Sequence, residues 1–228
     1  MQQLFRMKKI TYPLLLICTI SFTSCFEIIE QVFVKADGSG NFQLVLNLSK
    51  SKTKINSIRK MKTINGHEVP SEQEIRNKIA EIERATAKTA GISNVKTSMD
   101  FDNYIATITC NFNRVNQLNG IIKAVSEMDN KKSKYIEKSY DYDAATNIFS
   151  RINKVSLKKD YNKMSNADKE VFATANYTAI YKFENTVGSA GNKDAKISPS
   201  KKAVMLQQNV LDVITDKKSI ENKITLTK

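Results

Sequence analysis

The chain has 228 residues, with 36 Lys and Arg against 23 Asp and Glu, a formal net charge of +13, one histidine, three cysteines and no tryptophan. That length supports one substantial domain or two small ones. Its cations are mostly lysine, and arginine is the residue that forks onto phosphates and base edges, so nucleic acid is excluded as an expected partner. One histidine and so few cysteines leave no ordinary zinc ligand set, and no metal or cofactor is expected.

Residues 10–22 are an apolar run preceded by Arg6, Lys8 and Lys9 and followed by Thr23-Ser24-Cys25. The run is shorter than the roughly 20 residues that cross a bilayer as a helix. A cationic flank, a short apolar core and a small-residue end give the layout of an export signal. Met7 offers an alternative start. The LLLICTISFTSC stretch resembles the lipobox of bacterial lipoproteins, with Phe22 standing where an aliphatic residue is usual. The resemblance implies that residues 1–24 are a cleaved signal peptide and that Cys25 carries the lipid, palmitate-type acyl chains holding the chain to a bilayer. Each buried methylene of such a chain contributes about 0.8 kcal/mol. An uncleaved anchor and a lipid on Cys18 are the competing readings; Cys18 lies inside the apolar run, behind Leu16 and Ile17. With the signal removed the charge falls from +13 to +10 and Cys110 is left as the one free thiol, so the fold rests on its apolar core rather than on a disulfide.

Residues 25–228 read as a single α+β domain. A strand over 26–34 meets a turn at Asp37-Gly38-Ser39-Gly40-Asn41, and Phe42, Leu44, Leu46 and Leu48 alternate back, which makes a hairpin. Residues 49–64 carry six cations and no acid, with Ile55, Ile58 and Met61 at helical spacing up to Asn65-Gly66. Ser71 and Glu74 form a capping box ahead of Ile75, Ile79 and Ile82, predicting a helix to about Ala90 with Gly91 beyond it.

A second hairpin runs from Val95 to Phe101 and from Tyr104 to Phe112 around the acidic residues 100–103. Val115, Leu118, Ile121, Ile122, Val125 and Met128 line a second amphipathic helix. A third hairpin is expected over 135–142 and 148–155. Residues 157–175 look helical and broken, with Ser165 as a cap, and a strand follows at 177–183. From about residue 186 the pattern is less regular, with short strands at 194–197, 202–207 and 224–227 and a short helix at 209–215. Successive hairpins with amphipathic helices between them predict an antiparallel sheet with helices packed on one face.

No catalytic constellation stands out, and the chain is not expected to be an enzyme. His67 lies beside Gly66 and Pro70 in a loop, without a marked nucleophile or orienting acid. Cys110 sits on the apolar side of its strand between Ile108 and Phe112, where free cysteine behaves as a small hydrophobe. Asp37, Asp100, Asp102, Asp141 and Asp143 fall in hairpin turns; calcium is the chemical alternative, but turns favour Asp and Asn for their own backbone bonding. Tyr104, Tyr135, Tyr140, Tyr142, Tyr177 and Tyr181 are strand aromatics, and the lack of tryptophan speaks against a sugar platform. The sharpest surface candidate is the cationic stretch Lys50, Lys52, Lys54, Arg59, Lys60 and Lys62, which suits anionic headgroups if it lies against the membrane. A solvated helix face is the plainer reading.

The SFTSC signal, the VFVKADGSGNFQLVLNLS hairpin and the tail AIYKFENTV, NKDAKISPSKKAV and LDVI resemble uncharacterised lipoproteins of the Bacteroidota. The anchored hairpin with its DGSG turn is also distantly similar to LppM-type lipoprotein domains. These resemblances imply a cell-envelope protein, lipid-anchored, at the outer membrane and facing the periplasm. The expected function is a non-enzymatic binding or structural module for an unknown envelope protein or component. The alternative is a lipid or lipopolysaccharide handling protein with an apolar groove.

Overall fold

The computed structural model describes residues 26–128 and 138–227. The signal peptide, Cys18, Cys25 and Tyr135 lie outside these residues. Strands β1 (Glu27–Val34) and β2 (Gly40–Asn47) form the predicted hairpin, in which Val34 opposes Gly40. Its turn is closed by Lys35 N–H donating to Ser39 O and by Asp37 accepting from Ser39 N–H, with Gly38 at φ +83°, a left-handed conformation that glycine adopts without steric cost.

Helix α1 (Lys52–Ile58) is followed by the small hairpin β3 (Thr63–Ile64) and β4 (His67–Glu68), and α2 spans Glu72–Ala87. The predicted capping box is present: Ser71 Oγ accepts from Glu74 N–H at 3.2 Å while the Glu74 carboxylate accepts from Ser71 N–H at 2.7 Å. The helical periodicity of 49–64 ends early. Met61 falls beyond α1 and is 51% exposed, because residues 63–68 pair with each other around Asn65-Gly66, both at positive φ.

Strands β5 (Ile92–Asp100) and β6 (Ile105–Phe112) form the second hairpin, and α3 covers Leu118–Glu127. Tyr104, expected to open the returning strand, instead occupies the turn at φ +55°. The third hairpin is β7 (Tyr140–Asp143) and β8 (Ile148–Arg151), shorter than its pattern. Helices α4 (Lys158–Lys163) and α5 (Asn166–Ala173) precede β9 (Asn176–Phe183), and Ser165 caps α5 as expected. The less regular segment holds the expected short elements as β11 (Lys196–Ile197), β12 (Ala203–Asn209), α6 (Val210–Ile214) and β13 (Asn222–Thr227), and adds β10 (Thr186–Ala190) before them.

The class is α+β, but the strands divide between two sheets. A seven-stranded sheet has the order β11-β12-β9-β1-β2-β6-β5, and a four-stranded sheet has the order β10-β13-β8-β7. All neighbours are antiparallel except β1 and β9, which run parallel over their full length from Glu27↔Asn176 to Val34↔Phe183. Hairpin reasoning does not find this pair, since it joins strands some 150 residues apart.

The seven-stranded sheet has one covered face, and directly opposed residues share it: Val32, Phe42 and Cys110 form one row, Glu30, Leu44 and Ile108 the next. Over β9 and β1 this face meets the four-stranded sheet, with Phe149 set 5.0 Å from Tyr181 and 5.5 Å from Phe183, ring centre to ring centre. Over β2, β6 and β5 it meets α2 and α3. The helices approach each other closely at Gly120, where a Cβ would stand 2.6 Å from the Thr89 methyl group. Asn119 of α3 replaces a missing neighbour strand for β7, accepting from Ser139 N–H and Tyr140 N–H and donating to Tyr140 O.

Cys110 is buried in this core at 2% exposure, and desolvation pushes its thiol up to about 11. The thiolate is the reactive form, so Cys110 should resist iodoacetamide near pH 8 in the native protein and react on addition of denaturant, as read by peptide mass mapping.

Candidate functional site

Two polar and apolar features organise the covered face. The first is the carboxylate of Glu30, 3% exposed on β1. Its backbone neighbour on β9 is Ala179, whose small side chain leaves room for Tyr177 and Tyr181 on either side. Tyr177 Oη donates to Glu30 Oε2 at 2.8 Å and Tyr181 Oη to Oε1 at 2.9 Å. Arg151, reaching from β8 in the other sheet, completes the set through Nε at 3.1 Å to Oε1 and Nη2 at 3.2 Å to Oε2. The guanidinium lies over the Tyr140 ring at 4.6 Å and donates a further bond to Ile152 O. Burial, and then the Glu30 charge, raise the Tyr140, Tyr177 and Tyr181 hydroxyls above the ordinary tyrosine range, so they remain donors. The carboxylate thus takes four donated bonds, two of them from a bidentate fork. No sequence signal was attached to this cluster, although an acid at the inward position of Ile28-Glu30-Val32-Val34 demands a partner.

The second feature is the space beneath α2. Ile75, Ile79 and Ile82 point at the sheet as predicted, yet all three are half-buried, and Thr86 is the one residue of α2 that is fully buried. On the strands opposite, Leu44, Ala106, Ile108 and Met99 are half-buried too, and Leu46 is 38% exposed. Between helix and sheet runs a groove of about 800 Å³, walled by these isoleucines, by Leu46, Leu48, Met99 and Phe101, and by Ile55 and Ile58 of α1. A narrower cavity of about 190 Å³ adjoins it and shares Leu46, Ile79, Ile82 and Ala106 with it. A volume of this size lies within the range of ligand sites.

Polar contacts hold the helices over the groove, together with close packing at the C-terminal end of α2 around Thr86 and Thr89. Glu83 of α2 accepts from Thr97 N–H and Oγ on β5, and Arg76 lies 4.4 Å over the Phe101 ring. At the mouth, Arg59 donates to Tyr104 Oη and pairs with Glu72, while Tyr104 Oη donates to Asn56 of α1. The Asn47 end of β2 opposes Glu27, so the mouth and the start of β1 lie at one end of the sheet.

Lys50, Lys52, Lys54, Lys60 and Lys62 are exposed, at the same end. Arg59, grouped with them as a surface contact, is exposed as well and also takes part in the Tyr104–Glu72 clasp, where its side chain finds an acid and a hydroxyl. The turn carboxylates are engaged by their own loops: Asp100 accepts from Asp102 N–H, Asn103 N–H and the Asn103 amide, and Asp143 from Ala145 N–H and Thr146 Oγ1. These bonds hold both carboxyls below the usual range. His67 is exposed and stands 3.6 Å from Asp168, which also accepts from Asn65. Among the described residues no group of three His, Cys, Asp or Glu is arranged around a common metal position, and no helix is long and apolar enough to cross a membrane.

No family model matches the chain, and no curated protein matches it in sequence. Among solved structures, the chain is similar to the folded domain of the Mycobacterium tuberculosis LppM protein, determined by NMR, with 11% sequence identity, a TM-score of 0.43 and coverage of 90% of this chain and 89% of that one.

Removing one partner of a buried ion pair strands the other and costs about 3–5 kcal/mol, whereas replacing both by apolar groups is far milder. Arg151→Met should therefore destabilise the protein by that amount in urea unfolding. Because Tyr177 and Tyr181 also donate to Glu30, most of the loss should be recovered only in Glu30→Leu/Arg151→Met/Tyr177→Phe/Tyr181→Phe, which removes the two hydroxyls that would otherwise be buried without an acceptor.

Proposed function

We propose that the protein is a lipid-anchored module of the cell envelope that takes an acyl chain of a membrane lipid into the groove beneath α2. One observation carries this reading: the apolar stripe of α2 faces an apolar sheet surface without closing on it. Protein interiors pack to crystal-like density, and between β9, β1 and the four-stranded sheet the side chains of Val32, Tyr181, Phe149 and Ile224 are fully buried. Aliphatic walls with charged groups at the rim match an acyl chain attached to a polar head, and each methylene taken in contributes about 0.8 kcal/mol. The groove opens at the end of the sheet where β1 begins, two residues after Cys25. A lipid on Cys25 would bring that end to the bilayer, with Lys50, Lys52, Lys54, Lys60 and Lys62 facing anionic headgroups. The reading selects lipid handling over a purely structural module or a protein-binding one. It assigns no catalytic step; the outer-membrane address facing the periplasm is part of the proposal through the resemblance to Bacteroidota lipoproteins, not through the groove.

Native mass spectrometry of the chain extracted from its own membranes should find a co-purified lipid. Ile79→Trp and Ile82→Trp, which fill the groove, should lower its occupancy at least fivefold with the far-UV spectrum unchanged. A wild-type chain free of lipid would overturn the proposal. The cationic surface is tested separately, with an unacylated Cys25→Ser chain and phosphatidylglycerol vesicles. Each lysine near an anionic surface contributes about 1 kcal/mol, so changing the five lysines to glutamine should weaken binding roughly a hundredfold or more.

A further inference from the structure

Away from the groove, a polar cleft of about 550 Å³ opens where β8, β13 and the loops after β10 and α6 meet. Two loops that shape it are fixed to each other. Asn192 donates through its side-chain amide to Ser219 O at 2.9 Å and Glu221 O at 2.7 Å. Asp194 accepts from Lys218 Nζ at 2.8 Å and from Gln208 at 2.9 Å. The cleft is therefore held in shape by bonds that do not need a ligand.

Within it, one bonding position is left open. Asn222, 3% exposed and opposite Arg151 in the sheet, accepts from Asn192 N–H at 3.1 Å through its side-chain oxygen. That bond fixes the orientation of the amide, and its Nδ2 has no acceptor within the protein. A buried donor without a partner costs about 1–3 kcal/mol, so the site calls for an oxygen atom. The charges around it specify the kind. Arg151 is neutralised by Glu30 and Lys218 by Asp194. Of the remaining charges lining the cleft, Lys193, Lys217 and Lys223 are exposed cations and Glu221, which accepts from Asn153 N–H, is the one carboxylate, so the cationic side prevails.

We propose that this cleft binds a phosphate-type oxyanion carried on a small polar molecule. Three lysines lining a cleft beside an unpaired amide donor suit a multiply charged group with several acceptor oxygens, and lysine serves such groups as a point charge. A cleft of this volume has room for more than the phosphate itself, so the rest of the ligand lies along the polar walls. The phosphate comes either from a soluble phosphomonoester or from a lipid headgroup, and the site is independent of the acyl groove.

The test is calorimetric titration of the full chain in detergent with glycerol 3-phosphate, against chloride at matched ionic strength, and in parallel with phosphatidylglycerol vesicles. Saturable binding is expected, at least tenfold weaker in the Lys193→Gln/Lys217→Gln/Lys223→Gln variant and lost in Asn222→Asp, which keeps the acceptor, removes the donor and adds a charge that repels an oxyanion. The lysine variant changes exposed side chains only, so its reading does not depend on how well the Asn222 variant folds. Binding to glycerol 3-phosphate supports a soluble source; binding to vesicles alone, with the same dependence on the three lysines, supports a headgroup. Absence of saturable binding in both arms, or binding untouched by the three lysine changes, would overturn the proposal.

Discussion

The structure depends on the burial of one carboxylate. Glu30 sits in the middle of the strand that links the two hairpin halves of the large sheet, and its charge must be compensated where it lies. Compensation comes from β9, through Tyr177 and Tyr181, and from β8 of the second sheet, through Arg151. The parallel register of β1 on β9 and the docking of the four-stranded sheet are thereby set by the same four bonds. A shift of one residue would turn Glu30 to the opposite face and leave Arg151 buried without a counter-charge. An ion pair of this kind adds little net stability over an apolar contact; its contribution is to register.

That constraint divides the covered face into unlike halves. Around Glu30 the side chains are fully buried, from Val32 and Tyr181 to Phe149 and Ile224. Past β1, where β2, β6 and β5 lie under α2, the same face carries aliphatic side chains that remain half-buried. Helix α2 is held by Glu83, Arg76 and the Glu72–Arg59–Tyr104 clasp, and these contacts act at its flank and its N-terminal end. A helix tethered by polar contacts along its edge keeps its apolar stripe over the sheet without sinking into it. The groove follows from that arrangement.

Local signals in the chain were legible. The Asp37–Asn41 turn, the Ser71–Glu74 capping box, the Ser165 cap and the alternation on either side of residues 100–103 each rest on interactions within a few residues, and each appears in place. Signals that depend on distant partners were not. Nothing in the alternation of β1 says that it pairs with β9, and Val187 to Ala190 fall in the stretch where the pattern is less regular, because Gly188 and Ser189 lie at a register shift opposite β13. The groove was anticipated as an alternative but was not visible in the residues. Isoleucines at 75, 79 and 82 give the same pattern whether a helix packs tightly or stands off. Glu30 was legible in principle, as an acid at an inward strand position, but its partner Arg151 ends a four-residue strand with no pattern of its own.

The central claim is that an acyl chain lies between α2 and the sheet, and photo-crosslinking addresses it most directly. Cells supplied with a diazirine-bearing fatty acid would be irradiated, the protein recovered, and the modified residues mapped by peptide sequencing. The account predicts adducts on Ile75, Ile79 or Ile82 and on the facing residues Leu46, Met99 or Ala106. Adducts confined to outward-facing side chains such as Leu157 and Met164, with none on either wall of the groove, would contradict it.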